Sequence, residues 1–267
     1  MIRTISIAAI AACLLAPMAA MAQTGASSSS SSSSDDAGAG ILSHMPTQIV
    51  DCQTHDEGRE TADAKLTQAA WELLKKHDVA KLQAMLPQLE AAASHAPDKP
   101  SLPEKCGDRL IIFSDNMMDL ILAGAVAKKV GVSNVVQHAP LPYARLDFII
   151  GWLYFEQDQR DKAIDRYDHG LRNDPRDPLL ASEYANALSQ TGRSKEALAF
   201  IDTFMAANPD LAAPQHALML RRRGYALGDL GRFDDAIAAY QDSQKFDPNS
   251  DVAKKEIEWN QQQKAGH

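Results

Sequence analysis

The sequence predicts an all-α protein whose C-terminal half is a solenoid of helical hairpins. From Ala62 onward, apolar residues recur at the three- and four-residue spacing of one helix face. No segment alternates apolar and polar residues clearly enough to predict a strand. Three prolines, Pro175, Pro209 and Pro248, interrupt helical sequence at similar intervals, which indicates a repeated unit.

Residues 1–22 are predicted to be a signal peptide. Arg3 supplies a positive start, Ile5–Ala16 is mostly apolar, and Ala20-Met21-Ala22 has the small-x-small pattern of a cleavage site. Because a spanning helix needs roughly 20 apolar residues, we predict no membrane span, and a periplasmic or secreted chain. Ile10-Ala11-Ala12-Cys13 also resembles a lipobox, so a lipid anchor at Cys13 is the alternative.

The segment after the cleavage site is expected to be a disordered tether over residues 23–44. It contains eight consecutive serines, Ser27–Ser34, and has little apolar surface to bury against the entropy of ordering. The whole chain carries a formal net charge of −8. An acidic chain of this kind has no general affinity for nucleic acid or anionic lipid, so neither is an expected partner.

Residues 45–140 are predicted to form a helical N-terminal region. Helices are expected over 62–76, from Asp78 to about Ser94, and from Asp108 to Lys129, with Val132–Val136 not taken as a strand. After signal cleavage only Cys52 and Cys106 remain. An even number of cysteines in an oxidising compartment predicts a disulfide between them.

The C-terminal half shows self-similarity over residues 141–250. Pro175 and Pro209 are 34 residues apart, and Pro248 follows after 39. Glycine is expected in the turns, at Gly192 and Gly231. Each unit combines small and large residues at fixed positions. The small ones are Gly151, Ala185 and Gly224, and Ala163, Ala197 and Ala236; the large ones are Tyr167, Ile201 and Tyr240.

These positions resemble the tetratricopeptide repeat, with units at about 144–175, 178–209 and 217–248. The resemblance implies an α-solenoid of helical hairpins. Residues 251–267 are then expected to be a capping helix and tail, and a degenerate fourth unit over Leu66–Pro97 stays open.

In this family the first helix of each unit lines a concave groove that binds a peptide or a helix. The resemblance therefore implies a partner-binding surface. Its expected members are Arg145, Phe148, Trp152, Phe155, Glu156, Asn186, Gln190, Arg221, Arg222 and Tyr225. The alternative is that Phe148 and Trp152 belong to the core beneath N-terminal helices.

Some members of the family grip a terminal carboxylate with basic and asparagine residues. The corresponding positions here include Phe148, Trp152, Glu183 and Leu218, which cannot do so, and only Arg222 fits. We therefore do not expect a carboxylate clamp.

No catalytic motif for phosphate binding, metalloprotease or serine hydrolase chemistry occurs, so the chain is not expected to be an enzyme. Cys52, His55 and His44 lack a second ligand pair, and a disulfide would consume Cys52, so no metal or other cofactor is expected. The predicted function is an exported scaffold that binds another envelope protein. The alternatives are a ligand-binding or catalytic site within 45–140, or a permanent structural subunit of an envelope complex.

Overall fold

The computed structural model describes residues 48–100, 102–115 and 117–266, with Met118 described by its backbone alone. The predicted signal peptide, the serine-rich tether and Cys13 lie outside these residues. Within the described part, ten helices and four short strands form two compact units. The repeat unit comprises residues 57–98 and 142–266, and the sheet unit comprises residues 48–56 and 99–141.

The repeat unit is a series of antiparallel helical hairpins. Its helices are α1 (Glu57–Lys75), α2 (Val79–Ala93), α4 (Tyr143–Glu156), α5 (Arg160–Asn173), α6 (Pro178–Gln190), α7 (Ser194–Ala207), α8 (Ala213–Asp229), α9 (Phe233–Gln244) and α10 (Asp251–Ala265). Each of α4, α6 and α8 packs against the helix that follows it, and α4 contacts α6 as α6 contacts α8. The predicted solenoid of hairpins is confirmed.

Within each hairpin a small residue on the first helix meets a large residue on the second. A Cβ added to Gly151 would lie 2.5 Å from the ring of Tyr167, and one added to Gly224 would lie 2.8 Å from the ring of Tyr240. The middle hairpin brings Ala185 and Ile201 into one buried cluster. Glycine therefore allows the tyrosine rings to fill the space between helices at native packing density.

Helices α1 and α2 form a further hairpin that packs on α4, and a degenerate fourth repeat at this place stays a prediction. Both helices contact α4, in the same order in which α4 and α5 contact α6. The buried Asp63 of α1 accepts a hydrogen bond from Tyr143 Oη at 3.2 Å, and its Oδ2 lies 3.0 Å from His95 Nδ1. Burial and the Asp63 charge raise the pKa of Tyr143, which keeps its hydroxyl a donor.

The hairpin turns share a left-handed residue, and this supports the same register. Gly192 and Gly231 have φ of 78° and 72°, as the sequence predicts. The corresponding residues of the other two hairpins are His77 and Asp158, with φ of 55° and 59°. Because neither is glycine, the turn signal is absent from their sequences although the turn itself is present.

The last helix, α10, closes the end of the stack. Ser250 caps it by accepting a hydrogen bond from the backbone N–H of Ala253, and Ala253 is fully buried against α9. Tyr240 Oη donates to Glu256 at 3.3 Å. A helix therefore occupies Asp251–Ala265, where the sequence predicts one.

The predicted helix over Asp108–Lys129 is wrong in its first part, where the sheet unit has a strand. Its four strands are β1 (Val50–Asp51), β2 (Glu104–Cys106), β3 (Arg109–Phe113) and β4 (Asn134–His138), and its helix is α3 (Met117–Lys129). Neighbours in the order β1-β2-β3-β4 are hydrogen-bonded, antiparallel between β2 and β3 and parallel in the other two pairs. Most of the chain is helical, but the first part of the expected helix is a strand.

The strand forms because apolar, β-branched residues there bury alternate side chains. Leu110 and Ile112 are at most 4 % exposed and share a core with Leu122, Ala123 and Ala127 of α3. A one-sided core of this kind favours extended backbone over helix. Strand β4 overlaps Val132–Val136, where the sequence predicts no strand. It pairs with β3 in parallel, and because helix α3 connects the two strands, the local sequence pattern does not reveal the pairing.

The predicted disulfide between Cys52 and Cys106 is present, with its two Cα atoms 4.7 Å apart. It connects the segment after β1 to the end of β2 and closes a loop that contains α1 and α2 in sequence. The part of the chain that the structure describes contains no apolar helix of membrane-spanning length.

Candidate partner-binding groove

The residues expected to contact a partner all lie on the first helices of the repeats. Helix α4 carries the first five of them, α6 carries Asn186 and Gln190, and α8 carries the remaining three. The structure thus brings the expected set onto adjacent helices. Their exposure, however, divides them into buried and accessible members.

Four members of the expected surface are buried. Phe148 is 3 % exposed and Trp152 is 5 % exposed, and Asn186 and Tyr225 are buried to a similar degree. The ring of Trp71 on α1 meets Phe148 edge-on with centroids 5.8 Å apart, and Arg145 of α4 lies over Trp71 at 5.4 Å. Phe148 is therefore a buried residue that the N-terminal helix α1 contacts, and Trp152 is buried as well. They are not exposed aromatic anchors.

Arg222 is engaged by helix α6. Its Nε donates to Ser182 Oγ at 3.0 Å, its Nη1 donates to Asn186 Oδ1 at 3.2 Å, and its Nη2 donates to Glu183 Oε1 at 2.9 Å. The guanidinium is thereby neutralised and largely buried between two first helices. It contributes a cross-link within the stack, and it has little charge left to attract an acidic partner.

An acidic pair lies beside this network. Burial, together with the charge of Glu183, raises the pKa of Glu156, while His77 opposes the shift. Two nearby polar atoms, Glu183 Oε2 and Tyr167 Oη, are buried without a hydrogen-bond partner among the described residues. Burial also raises the pKa of Tyr167 strongly. The contact between the first and second repeats therefore contains buried polar atoms, Glu183 Oε2 and Tyr167 Oη, that accept or donate no hydrogen bond among the described residues.

The other members remain accessible to different degrees. Arg145 is exposed, whereas Phe155 and Gln190 are half-buried. Phe155 has the guanidinium of Arg160 above its ring at 5.3 Å. Arg221 is paired with Asp247 at 3.0 Å. The surface that a partner could reach is therefore polar and mixed in charge.

The sequence did not single out three residues that lie beside the candidate surface or the disulfide: Trp71, Tyr167 and Glu104. Trp71 lies in a helix that matches the repeat only loosely, and Tyr167 was identified only as a packing residue. Glu104 is fully buried two residues before Cys106, in a segment not predicted to be structured. A lone carboxylate near a cysteine gives too weak a signal to single out.

The stacked hairpins, small-large packing and left-handed turns define a helical-repeat solenoid. A tetratricopeptide-repeat family model matches residues 150–212 and 202–251. The small glutamine-rich tetratricopeptide repeat-containing protein 2 of Mycosarcoma maydis is 33 % identical over 93 residues, which is 35 % of this chain and 25 % of that protein. This chain therefore spans about a quarter of the length of that relative.

Two solved structures are similar to part of this chain. The first repeat domain of Spaghetti, bound to an HSP90 peptide, is 27 % identical, with a TM-score of 0.41 over 46 % of this chain and 93 % of that one. The Sgt2 repeat domain from Aspergillus fumigatus is 25 % identical, with a TM-score of 0.42 over 46 % of this chain and 80 % of that one. Residues 150–251 therefore match the tetratricopeptide-repeat family. Such repeats are non-enzymatic scaffolds, in agreement with the expectation that the chain is not an enzyme.

Proposed function

We propose that the protein is an exported interaction scaffold whose repeat unit holds a segment of another envelope protein. The observation that carries this proposal is the stack of hairpins, with α1, α4, α6 and α8 packed side by side. Such a stack offers an extended surface, and repeat proteins use surfaces of this kind for binding rather than catalysis.

The chemistry of the surface favours a polar, hydrogen-bonding segment over an acidic chain terminus. Arg222 is already paired with Glu183, and Phe148 and Trp152 are buried, so a terminal carboxylate would meet no free cationic pocket at these positions. Arg145 and Gln190 are accessible and can form hydrogen bonds with a partner, and the half-buried Phe155 adds an apolar group to the same surface. A peptide or helix that supplies both donors and acceptors fits this surface best.

Export rests on the sequence of residues 1–22. A positive start, a short apolar run and a small-x-small site support cleavage after Ala22. N-terminal sequencing of the chain from its native cells should give a first residue of Gln23. An intact Met1, or a lipid-modified Cys13 as first residue, would contradict cleavage by this route.

The binding surface is tested by crosslinking in living cells. A photoreactive phenylalanine analogue is placed at Arg145 or at Gln190, since both are on first helices and neither is buried. We expect the same dominant envelope protein to be captured from both positions. Trp152 is a poor site for the probe, because at 5 % exposure any larger group there would disturb the core.

A matched control places the probe at Ala199, an exposed residue of the second helix α7. Capture of one partner from positions 145 and 190 but not from 199 supports binding across the first helices. Equal capture from all three positions, or capture of no specific protein from any, would reject the proposed surface. The native mass of the captured complex distinguishes a transient partner from a permanent structural assembly.

A further inference from the structure

The disulfide of the sheet unit lies against a fully buried carboxylate. Glu104 is 0 % exposed, and its Oε2 is 3.9 Å from Cys106 Sγ. One ligand atom from each of Cys52, Glu104 and Cys106 falls within 4.8 Å of the others. Among the described residues, these three side chains form a group with the donor atoms and proximity of a metal site.

The carboxylate is held in one orientation by its neighbours. The backbone N–H of Gln53 donates to Glu104 Oε2 at 3.0 Å, and Gln53 Nε2 donates to Oε1 at 2.8 Å. His55 Nε2 lies 2.9 Å from the same Oε1. Hydrogen bonds of this kind orient metal-bound carboxylates, and they tune the affinity of a site for its ion.

We propose that, when the disulfide is reduced, Cys52, Cys106 and Glu104 bind one Zn²⁺ ion. Two thiolates and a carboxylate are ligands that zinc accepts in a tetrahedral arrangement. His55 would position Glu104 through Oε1, and the fourth position would be open to solvent because Cys52 is exposed. The ion would neutralise charge that a buried carboxylate otherwise carries at a cost.

The reduction step needs a dithiol as reductant. A thiolate of that dithiol attacks Cys52 Sγ, the exposed sulfur, and the Sγ–Sγ bond breaks with its electron pair on Cys106. The second thiol of the reductant then releases Cys52, so the reductant becomes a disulfide and its two protons reside on Cys52 and Cys106. Zinc binding displaces these two protons to solvent.

The expectation that no metal binds considered Cys52, His55 and His44, and it assumed that a disulfide occupies Cys52. The spacing of Cys52 and His55 offers no second ligand pair, and the disulfide occupies both sulfurs. What the sequence did not reveal is that pairing of β1 with β2 brings Glu104 beside them: Val50 is in register with Glu104, and Asp51 with Lys105.

The test uses the whole chain with Cys13→Ser, which removes the third cysteine. The protein is reduced with a dithiol, desalted without oxygen, and titrated with Zn²⁺ against a chromogenic chelator, then with Co²⁺. We expect one equivalent of zinc, and a cobalt complex with sulfur-to-metal charge-transfer absorption and tetrahedral d–d bands. The oxidised chain should show neither.

Variants separate the proposed site from casual thiol binding. Glu104→Gln should weaken zinc binding at least about tenfold, and His55→Gln about tenfold, whereas Asp51→Asn, an exposed neighbour, should change nothing. Circular dichroism checks that each variant is folded. The proposal is overturned if the reduced chain binds zinc no tighter than Cys52→Ser/Cys106→Ser, if it gives no sulfur-to-cobalt band, or if folded Glu104→Gln binds like the parent.

Discussion

The repeat unit and the sheet unit reach stability by different means. From α4 onward, each helix of the repeat unit packs against its neighbour in the chain, and the same small-large contact recurs, as between Gly151 and Tyr167 and between Gly224 and Tyr240. In the sheet unit, β1 pairs with β2 across more than fifty residues, and a disulfide with a sequence separation of 54 joins the same segments. Short-range contacts stabilise one unit, and long-range closure stabilises the other.

The two units also differ in how the chain connects them, because the sheet unit interrupts the repeat unit in sequence. Most of the sheet unit, residues 99–141, falls between α2 and α4, and therefore between two hairpins that stack in one register. The repeat tolerates the insertion because the hairpin α1–α2 contacts α4 through packed faces and does not depend on a short connection. A solenoid can accept such an insertion between repeats, since each hairpin needs only its neighbours.

The largest expected effect is loss of the disulfide. Cys52→Ser/Cys106→Ser should destabilise the sheet unit by about 4 kcal/mol, because a closed loop of this length constrains the unfolded chain. Hydrogen exchange followed by mass spectrometry resolves the two units separately. Peptides from β2, β3 and β4 should lose protection, whereas peptides from α6 to α9 should keep theirs.

The matched comparison is oxidised parent against variant under metal-free conditions. Equal loss of protection in α6–α9 would show that the units do not differ in this way. Unchanged protection in the strands would show that pairing alone stabilises the sheet.

A smaller effect is expected from Gly224→Ala in the repeat unit. The added Cβ would meet the ring of Tyr240 at 2.8 Å, and Tyr240 is 1 % exposed and cannot withdraw. Overpacking costs about 1–3 kcal/mol and the helix propensity of alanine returns about 1. Thermal or urea unfolding should therefore show a net loss of up to about 2 kcal/mol.

A smaller residue at position 240 should reverse the sign of this effect on stability. With Tyr240→Ile, the protein would copy the Ala185–Ile201 combination of the middle hairpin, so Gly224→Ala should become stabilising. In the sheet unit, Gly124→Ala is the control, because nothing lies within 4 Å of its added Cβ. If Gly224→Ala is equally harmful with Tyr240 and with Ile at 240, the pairwise account is wrong.

The repeat unit could be predicted from sequence because its determinants are local. The prolines, the glycines at 192 and 231 and the small residues at fixed intervals each report on structure within one hairpin. The strands could not be predicted this way. Leu110 and Ile112 acquire their partner strand, β4, only across an intervening helix. A continuous apolar run such as Leu110–Phe113 is equally compatible with a buried helix. The disulfide was predictable because cysteine counting does not depend on the local backbone.

The candidate surface was predictable in position but not in exposure. The family resemblance implies which helices line the groove, and the structure places all ten residues on those helices. Burial of Phe148 depends on Trp71, which lies in a hairpin with little repeat signal and precedes α4 by the length of the whole insertion. Likewise, the three contacts of Arg222 depend on the packing of α8 against α6. Whether these residues bind a partner stays a prediction.

The smallest expected effect concerns the hairpin turns. Asp158 has φ of 59° at the position that Gly192 occupies with φ of 78°. Asp158→Gly should stabilise the repeat unit by about 0.5–1 kcal/mol, because a side chain in the left-handed region is strained, and Gly192→Asp should destabilise it by a similar amount. Chemical unfolding of both variants measures the pair. Effects of the same sign would mean that contacts of the side chain, such as the ion pair of Asp158 with Arg160 at 2.9 Å, outweigh backbone strain. Opposite signs would show that the turns at Asp158 and Gly192 use one geometry, although glycine marks only one of them in the sequence.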